Sequence, residues 1–436
     1  MSRPEKQPIL QQSLSVGNFS LFLRYRIPVL IMSLLTSSPS CPPSQLSEEE
    51  IIAWLRLTTT PGVTPSLQRL LLAHFGLPEQ ILAQSQLQLA RVIGEPAART
   101  LLSHNLEALG EKTLSWLAQE GNHLITLADP RYPARLLEIN DPPAVLYVKG
   151  DPGLLSTPCL AMVGARSATA QGVDTARAFA EALLSAGLTI VSGLALGIDA
   201  AAHQGALAAY QRSYQQTTSK SACKPCQSDI PCQKISTIAV IGTGADLIYP
   251  ARNAALAREI AEHGAIVSEF PLGTPSVASN FPRRNRLIAG ISLGVLVVEA
   301  ALKSGSLITA RHALDYGREV LAIPGSIHSP LARGCHQLIR QGAKLVESAQ
   351  DVLEELHLPS AVISSTSPTQ TPPDQSPGQV AVLSAMGFDP VHPDTLAPRS
   401  GLTIPDLCAI LIELELNGQI AQLPGGLYQR RVAPPC

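Results

Sequence analysis

The amino-acid sequence predicts a doubly wound α/β fold, a parallel sheet covered by helices on both faces, preceded by a helical domain and followed by a small domain of helices and a β-hairpin. Three observations carry this expectation. Between about Pro158 and Val346, short apolar runs alternate with amphipathic helical stretches, the rhythm of strands buried on both faces. Each run ends in a small or polar turn, most of them holding glycine. Hydrophobic residues make up 45% of the 436-residue chain and charged residues 15%, enough apolar material for packed cores and too little charge for a disordered polymer. A chain of this length is expected to hold two or three domains.

Taken in order, residues 1–46 read as an unstructured extension from an upstream start, with Met32 as an alternative start. The apolar stretch Phe19–Leu35 is interrupted by Arg24, Arg26 and Pro28, which leaves a run too short for a membrane span. Its nine residues from Ile27 to Leu35 imitate a signal peptide. A helical domain is expected over 47–118. Ser47 followed by Glu48, Glu49 and Glu50 fits a capped helix start, and Ile51, Ile52, Trp54, Leu55 and Leu57 supply its buried face. Residues 59–76 have the rhythm of a helix-hairpin-helix unit. With Gly62 as the single glycine of its turn, helix packing is preferred to phosphate contact.

Residues 119–157 read as a connector with β-like runs at 124–127 and 144–148. The main sheet is expected within 158–358, with strands at Leu160–Val163, Thr189–Ser192, Thr237–Ile241, Ile266–Glu269, Val295–Val298, Val320–Ile323 and Lys344–Val346. Seven strands make a full doubly wound, Rossmann-like domain. An insertion at 210–234 is rich in Gln, Ser, Thr and Cys, and 359–378 reads as a linker. Helices at Gln379–Met386, Asp394–Ser400 and Ile404–Asn417, then a hairpin over Gln419–Arg430 turned by ProGlyGly at 424–426, give 379–436 a winged-helix pattern.

The formal net charge of −2 means that any attraction for nucleic acid comes from local clustering of Arg and Lys, which excludes a histone-like non-specific binder. Eight cysteines spread through a long chain lack the dense framework of a small secreted protein, so reduced thiols and a cytoplasmic location are expected. Cys223, Cys226 and Cys232 begin as a CxxC pair but lack a second pair, which makes them a weak zinc candidate beside the preferred reading of a surface loop.

In a parallel sheet the turns after the strands meet along one edge, where open α/β folds bind ligands. Here they are Gly164-Ala165-Arg166, Ser192-Gly193, Gly242-Thr243-Gly244, Ser268-Glu269-Phe270-Pro271, Lys303-Ser304-Gly305-Ser306 and Pro324-Gly325-Ser326. Glycine lets an oxygen-rich ligand approach the backbone amides, and the following helix N-terminus adds positive potential. A dinucleotide reading fails because Leu247 stands where the third glycine of the fingerprint belongs. No Gly-Lys pair occurs, which removes a P-loop, and no Ser/His/Asp, GxSxG or HExxH signature is present. Neither a cofactor nor a catalytic group is therefore expected.

Arg283, Arg284 and Arg286, interrupted by Asn285, enter a helix near the same edge. Guanidinium forks match phosphate oxygens, so with Arg166 and Lys303 they predict a basic edge for a polyanion. Phe281 and Tyr249 either offer stacking faces to unpaired bases or simply pack. An enzyme of the nucleotide phosphoribohydrolase kind is the alternative, with Glu269 and Glu299 as its candidate carboxylates; ion-pairing of both with nearby arginines is the preferred reading.

Five blocks in order resemble the DprA/Smf family, the DNA-processing proteins of natural transformation and competence. They are SerGlyLeuAlaLeuGlyIleAspAlaAlaAlaHis at 192–203, IleAlaValIleGlyThrGlyAlaAspLeuIleTyrPro at 238–250, SerGluPhePro at 268–271, PheProArgArgAsnArgLeuIleAlaGly at 281–290 and GluAlaAlaLeuLysSerGlySerLeuIleThrAla at 299–310. The resemblance implies a SAM-like helical domain, a Rossmann-like core, a terminal winged helix, and a core-domain homodimer. It also implies binding and protection of incoming single-stranded DNA and loading of the RecA recombinase, without established catalysis. The family's phosphate turn falls on Gly164, Ala165 and Arg166, and its basic groove on Arg283, Arg284, Arg286 and Lys303. The chain departs from the family at the 210–234 insertion and at His336, where asparagine is common. The helix expected to be the recognition helix carries Asp406, Glu413 and Glu415 but no Lys or Arg, which points to protein contact before a DNA groove.

Overall fold

The computed structural model describes residues 46–219, 235–358, 376–423 and 425–431. The extension before Leu46, most of the 210–234 insertion with its three cysteines, and most of the linker lie outside the described residues. The chain divides into two compact units, one holding the helices up to Leu106 together with Thr126–Pro130, the other Glu107–Ile125 and the chain from Arg131 onward.

The first unit contains α1 (Glu48–Thr59), α2 (Pro65–Phe75), α3 (Pro78–Leu82), α4 (Gln86–Ile93) and α5 (Glu95–Ser103). Helix α1 starts at the expected capping box: the Glu50 amide donates to Ser47 Oγ at 3.2 Å and the Ser47 amide to Glu50 Oε2 at 2.7 Å. In the α1–α2 hairpin the buried Gln68 side chain donates to the carbonyls of Thr58 and Val63 at 3.3 and 3.1 Å, so the turn is closed by its own chain.

The second unit opens with α6 (Glu107–Leu117), β1 (Asn122–Thr126), β2 (Val145–Gly150) and β3 (Cys159–Val163). Next come α7 (Ala170–Ser185), β4 (Thr189–Ser192), α8 (Ile198–Ser219), β5 (Thr237–Val240), α9 (Ala254–His263) and β6 (Ala265–Ser268). The sheet is completed through α10 (Asn280–Ile291), β7 (Gly294–Val297), α11 (Ser306–Asp315), β8 (Glu319–Ala322), α12 (Arg333–Arg340), β9 (Lys344–Leu345) and α13 (Ala349–Glu355).

All nine strands join one sheet in the order β1-β2-β6-β5-β4-β3-β7-β8-β9. Strands β3 to β9 are mutually parallel along this order, while β2 runs antiparallel to β6 with Tyr147 opposite Ser268. The seven expected strands are present within a residue or two. The difference lies in the connector, whose two β-like runs extend the sheet instead of bridging to it. Residues 145–148 are buried, so β2 reads as a continuous apolar run without the alternation that marks a half-exposed edge.

Leu160, Met162, Ile190 and Leu296 bury one face of the sheet under Phe179 and Leu183 of α7, the alanines of α8, and Val352 and Leu353 of α13. Ala239 and Ile266 pack with Leu256, Ala257 and Ile260 of α9. From β3 the chain builds outward through β4, β5 and β6, then crosses by α10 to β7 on the other side of β3. The carboxyl ends of β3 and β7 therefore flank the switch point where such sheets open a crevice.

The terminal winged helix comprises α14 (Pro377–Met386), α15 (Pro393–Ser400), α16 (Ile404–Leu416), β10 (Ile420–Leu423) and β11 (Leu427–Arg430), the strands pairing antiparallel. Helix α14 begins two residues before the expected Gln379, because Ser376 and Gln379 form a capping box around Pro377. Val382, Leu383, Leu396, Leu407, Leu411, Leu414 and Ile420 form its core. Just beyond β11, Arg431 makes a two-pronged contact with Asp174 of α7, Nε to Oδ2 at 2.6 Å and Nη2 to Oδ1 at 2.8 Å. Among the described residues no helix is long and apolar enough to cross a membrane.

Candidate nucleic-acid interface

The turn after β3 lies at the switch point. Gly164 has no room for a side chain, since a Cβ would come within 2.5 Å of Ile198 Cγ1. This lets the start of α8 sit against the turn, where the Ile198 amide donates to the Ala165 carbonyl at 3.2 Å. Gly197, at φ +76°, supports the same approach; a Cβ there would lie 2.3 Å from the Ala165 carbonyl oxygen. Arg166 is exposed at the tip.

Across the switch point, β7 leads to Glu299. Its carboxylate accepts from the Thr169 amide at 3.0 Å and the Thr169 hydroxyl at 2.6 Å, and Thr169 Oγ1 caps α7 by accepting from the Gly172 amide at 2.9 Å. Beyond it, Lys303 is exposed, and Ser304 and Ser306 share a hydroxyl contact of 2.6 Å. Asn285 donates to the Gly305 carbonyl at 3.3 Å.

The turn after β4 is filled from within. Ser192 is buried and donates to the Met162 carbonyl at 2.6 Å. The amides of Gly193 and Ala195 donate to Asp199 Oδ2 at 3.2 and 3.3 Å. Asn253 holds the carbonyls of Leu194 and Ala195, fixing Leu194 at φ +59°. Arg284 enters from α10, donating from Nη1 to the carbonyls of Gly193, at 2.6 Å, and of Val240. A Cβ on Gly193 would stand 2.4 Å from that nitrogen, so glycine is required to admit the guanidinium. Burial raises the pKa of Asp199 and lowers that of Arg284 to about 10, and in each case the partner's charge opposes the shift.

The turn after β5 is likewise tied down. Thr243 donates to the Leu247 carbonyl at 2.8 Å, the Gly244 amide to the Thr274 carbonyl at 2.9 Å, and Asn280 to the Gly242 carbonyl at 3.2 Å. Asp246 accepts from the Gly273 amide at 2.8 Å and pairs with Lys112 of α6 at 2.7 Å. On α10, Arg286 is buried against Glu269 and Asp141, whereas Arg283 is exposed, 3.3 Å from Glu269 Oε1 and over the ring of Phe270.

These contacts revise the expected arginine groove. Consecutive helix positions differ by 100°, so Arg283, Arg284 and Arg286 cannot share one face. The structure turns Arg283 outward and buries Arg284 and Arg286 on carboxylates and carbonyls of this chain. Inside the protein Arg284 is met by two carbonyls and the nearby charge of Asp199, and Arg286 by the carboxylates of Glu269 and Asp141. Ser192, Gly193, Gly242, Thr243 and Gly244 shape the same interior. Of the five cations expected at the edge, Arg166, Arg283 and Lys303 are exposed.

Glu269 pairs with Arg283 and Arg286, as expected; burial raises its pKa and the two arginines oppose the rise. Glu299 differs, since its partner is the α7 cap. His336 turns its Nε2 to the Gly325 carbonyl at 3.0 Å.

Sequence reasoning missed the roles of Asp199 and Asp246. A carboxylate in the first turn of a helix after a glycine-rich loop was the available signal for Asp199. The Asp246–Lys112 pair joins residues far apart in the chain and left no local trace.

Aromatic surface adjoins the exposed cations. The rings of Tyr249 and Phe281 lie 5.6 Å apart, the Arg166 guanidinium sits 5.6 Å from the Phe281 centroid, and Leu247, Ile248, Tyr249 and Val277 are exposed around them.

A nine-stranded sheet with this turn chemistry and a terminal winged helix matches a known pattern. The sequence model of DNA recombination-mediator protein A matches residues 123–357, more than half of the chain, and that of the DprA winged helix domain matches 366–426. The chain belongs to the DNA recombination-mediator protein A family. Protein Smf of Escherichia coli is 43% identical over 330 residues, covering 74% of this chain and 81% of its own length. The DNA processing protein DprA of Streptococcus pneumoniae is 44% identical over 230 residues, 53% of this chain and 73% of its own. The X-ray structure of DprA from Streptococcus pneumoniae superposes with a TM-score of 0.58 at 34% identity, over 72% of this chain and 99% of the other. DprA/Smf membership accords with the family resemblance of the five sequence blocks.

Proposed function

We propose that this chain binds single-stranded DNA along the carboxyl-end edge of its sheet. In this reading Arg166, Arg283 and Lys303 contact phosphates. Gly164, Ala165, Ser304, Gly305 and Ser306 let the strand approach the turns, and Arg284, Asn285 and Arg286 position α10. One observation carries the reading: Arg166 lies over Phe281 beside an exposed Tyr249, a cationic and aromatic step at the switch point. Unpaired bases offer π-faces to such a step, whereas bases stacked in a duplex do not.

Family membership supports a wider role, in which a homodimer in the cytoplasm protects the incoming strand and loads the RecA recombinase during transformation and recombination. The reading assigns no catalytic step. Glu269 and Glu299 are both engaged by the protein's own donors, which favours binding over phosphoribohydrolase chemistry.

A salt-titrated comparison of single- and double-stranded oligonucleotides, for wild type and Arg166→Ala, tests the site. Single strands should bind more tightly, and losing one phosphate contact should reduce the log–log salt slope by about 0.7. Binding of mononucleotides with indifference to oligonucleotides would overturn the reading. RecA filament assembly on strands coated with single-strand-binding protein, with and without this chain, tests the loading role.

A further inference from the structure

Helix α16 is apolar on two opposite faces. Leu407, Leu411 and Leu414 are buried in the winged-helix core. Opposite them, Pro405, Cys408, Ala409, Ile412 and Leu416 are exposed, Ile412 retaining 56% and Leu416 83% of its surface. At 100° per residue these five fall within an arc of about 100°, the width of a stripe that ordinarily meets another element. The margins are acidic: Glu415 borders one side, and Asp406 and Glu413 border the other. Among the described residues the three acids have no cationic partner; Asp406 accepts from the Thr403 hydroxyl and Glu413 from the Gln379 side chain.

This charge pattern selects the occupant. A DNA backbone or an anionic membrane surface would meet three carboxylates and no Lys or Arg on the helix. A second copy of the same face would set acid against acid at every margin. An amphipathic helix with basic flanks satisfies both the stripe and the rails. We propose that the exposed face of α16 docks a helix of a partner protein, with apolar anchors along its stripe and Lys or Arg on both margins. The proposal is independent of the DNA edge on the sheet.

The test uses the full chain and two fluorescein-labelled 18-residue helical peptides, with leucines on one face and either lysines or glutamates on its margins, read by anisotropy at two salt concentrations. The basic peptide is expected to bind at micromolar levels. Ile412→Glu should weaken it about tenfold although the variant adds negative charge, and Leu416→Ser should weaken it in the same direction. Neutralising the rails with Asp406→Asn, Glu413→Gln and Glu415→Gln should flatten the salt dependence. Both anchors are exposed, so these variants keep the core, and unchanged circular dichroism checks this.

Three results overturn the proposal. They are no binding of the basic peptide up to about 100 μM, equal binding of the acidic peptide, or binding that survives both anchor substitutions. Sedimentation showing a self-association that Ile412→Glu abolishes and the basic peptide leaves intact would assign the face to a second copy instead.

Discussion

Replacing Arg284 with methionine separates a positioning role from a contact role. The substitution removes donation to the carbonyls of Gly193 and Val240 and takes away the cation facing the buried Asp199. Removing the charged donor leaves two buried carbonyls unsatisfied, at about 1–3 kcal/mol each, and withdraws the cationic influence on Asp199, a loss of about 3–5 kcal/mol in all. With a urea slope of roughly 2–3 kcal/mol/M, the unfolding midpoint should fall by about 1–2.5 M. Adding Asp199→Asn should return part of the loss, giving a coupling of about 0.5–3 kcal/mol in the double-mutant cycle. Arg166→Ala, at an exposed turn, should stay within about 0.5 kcal/mol of wild type. If Arg284→Met left the midpoint unmoved while lowering single-strand affinity as Arg166→Ala does, the arginine would be a direct phosphate contact and the assignment of roles would fail.

His203 is buried, and burial, with Arg284 nearby, holds its pKa down at about 3. Its Nδ1 faces Thr237 Oγ1, which itself donates to the Ile190 carbonyl, so Nδ1 carries the proton and a second proton would fall on the buried Nε2. The folded state thus favours neutral histidine. Its contribution is complete above the unfolded pKa of about 6.5 and declines as pH falls toward 3, by about 2 kcal/mol between pH 7 and 5. Urea midpoints at both pH values should show this loss in wild type and not in His203→Gln; equal losses would rule it out. Gly172→Ala should destabilise, although helical Gly→Ala usually gains up to about 1 kcal/mol, since the new Cβ would lie 2.4 Å from the Glu299 carboxyl carbon; thermal melts decide the sign. Tyr249→Ala should cost about 1–3 kcal/mol of single-strand affinity with little effect on duplex binding, and equal losses on both would remove the stacking role.

The sheet was legible because its strands are short, apolar and punctuated by glycine, so periodicity and turn chemistry agreed from β3 to β8. The β-like runs at 124–127 and 144–148 were legible too, but not that they join the same sheet, because the partner of β2, strand β6, lies more than a hundred residues away. At the site, the sequence showed which residue types gather at the edge but not which way each points. Arg283 and Arg284 are neighbours in the chain, yet one is exposed and the other buried. That difference depends on Asp199 and on the missing side chain at Gly193, neither of which is close to them in sequence.

The interior carboxylates also bear on the kind of ligand the edge suits. Asp199 already accepts the Gly193 and Ala195 amides, and Glu299 already accepts at the start of α7, so two places where a nucleotide fold would receive a phosphate hold anions of the protein itself. The Gly244 amide is engaged as well. A single enclosed phosphate would have to displace one of these groups from its donors. What remains exposed is a set of side-chain cations, Arg166, Lys303 and Arg283, the last also paired with Glu269, beside an exposed aromatic surface. Spaced point contacts gain little from a mononucleotide, which can reach one at a time, and more from a strand that reaches several through one backbone. Affinity that rises steeply with oligonucleotide length is therefore the behaviour this edge should show.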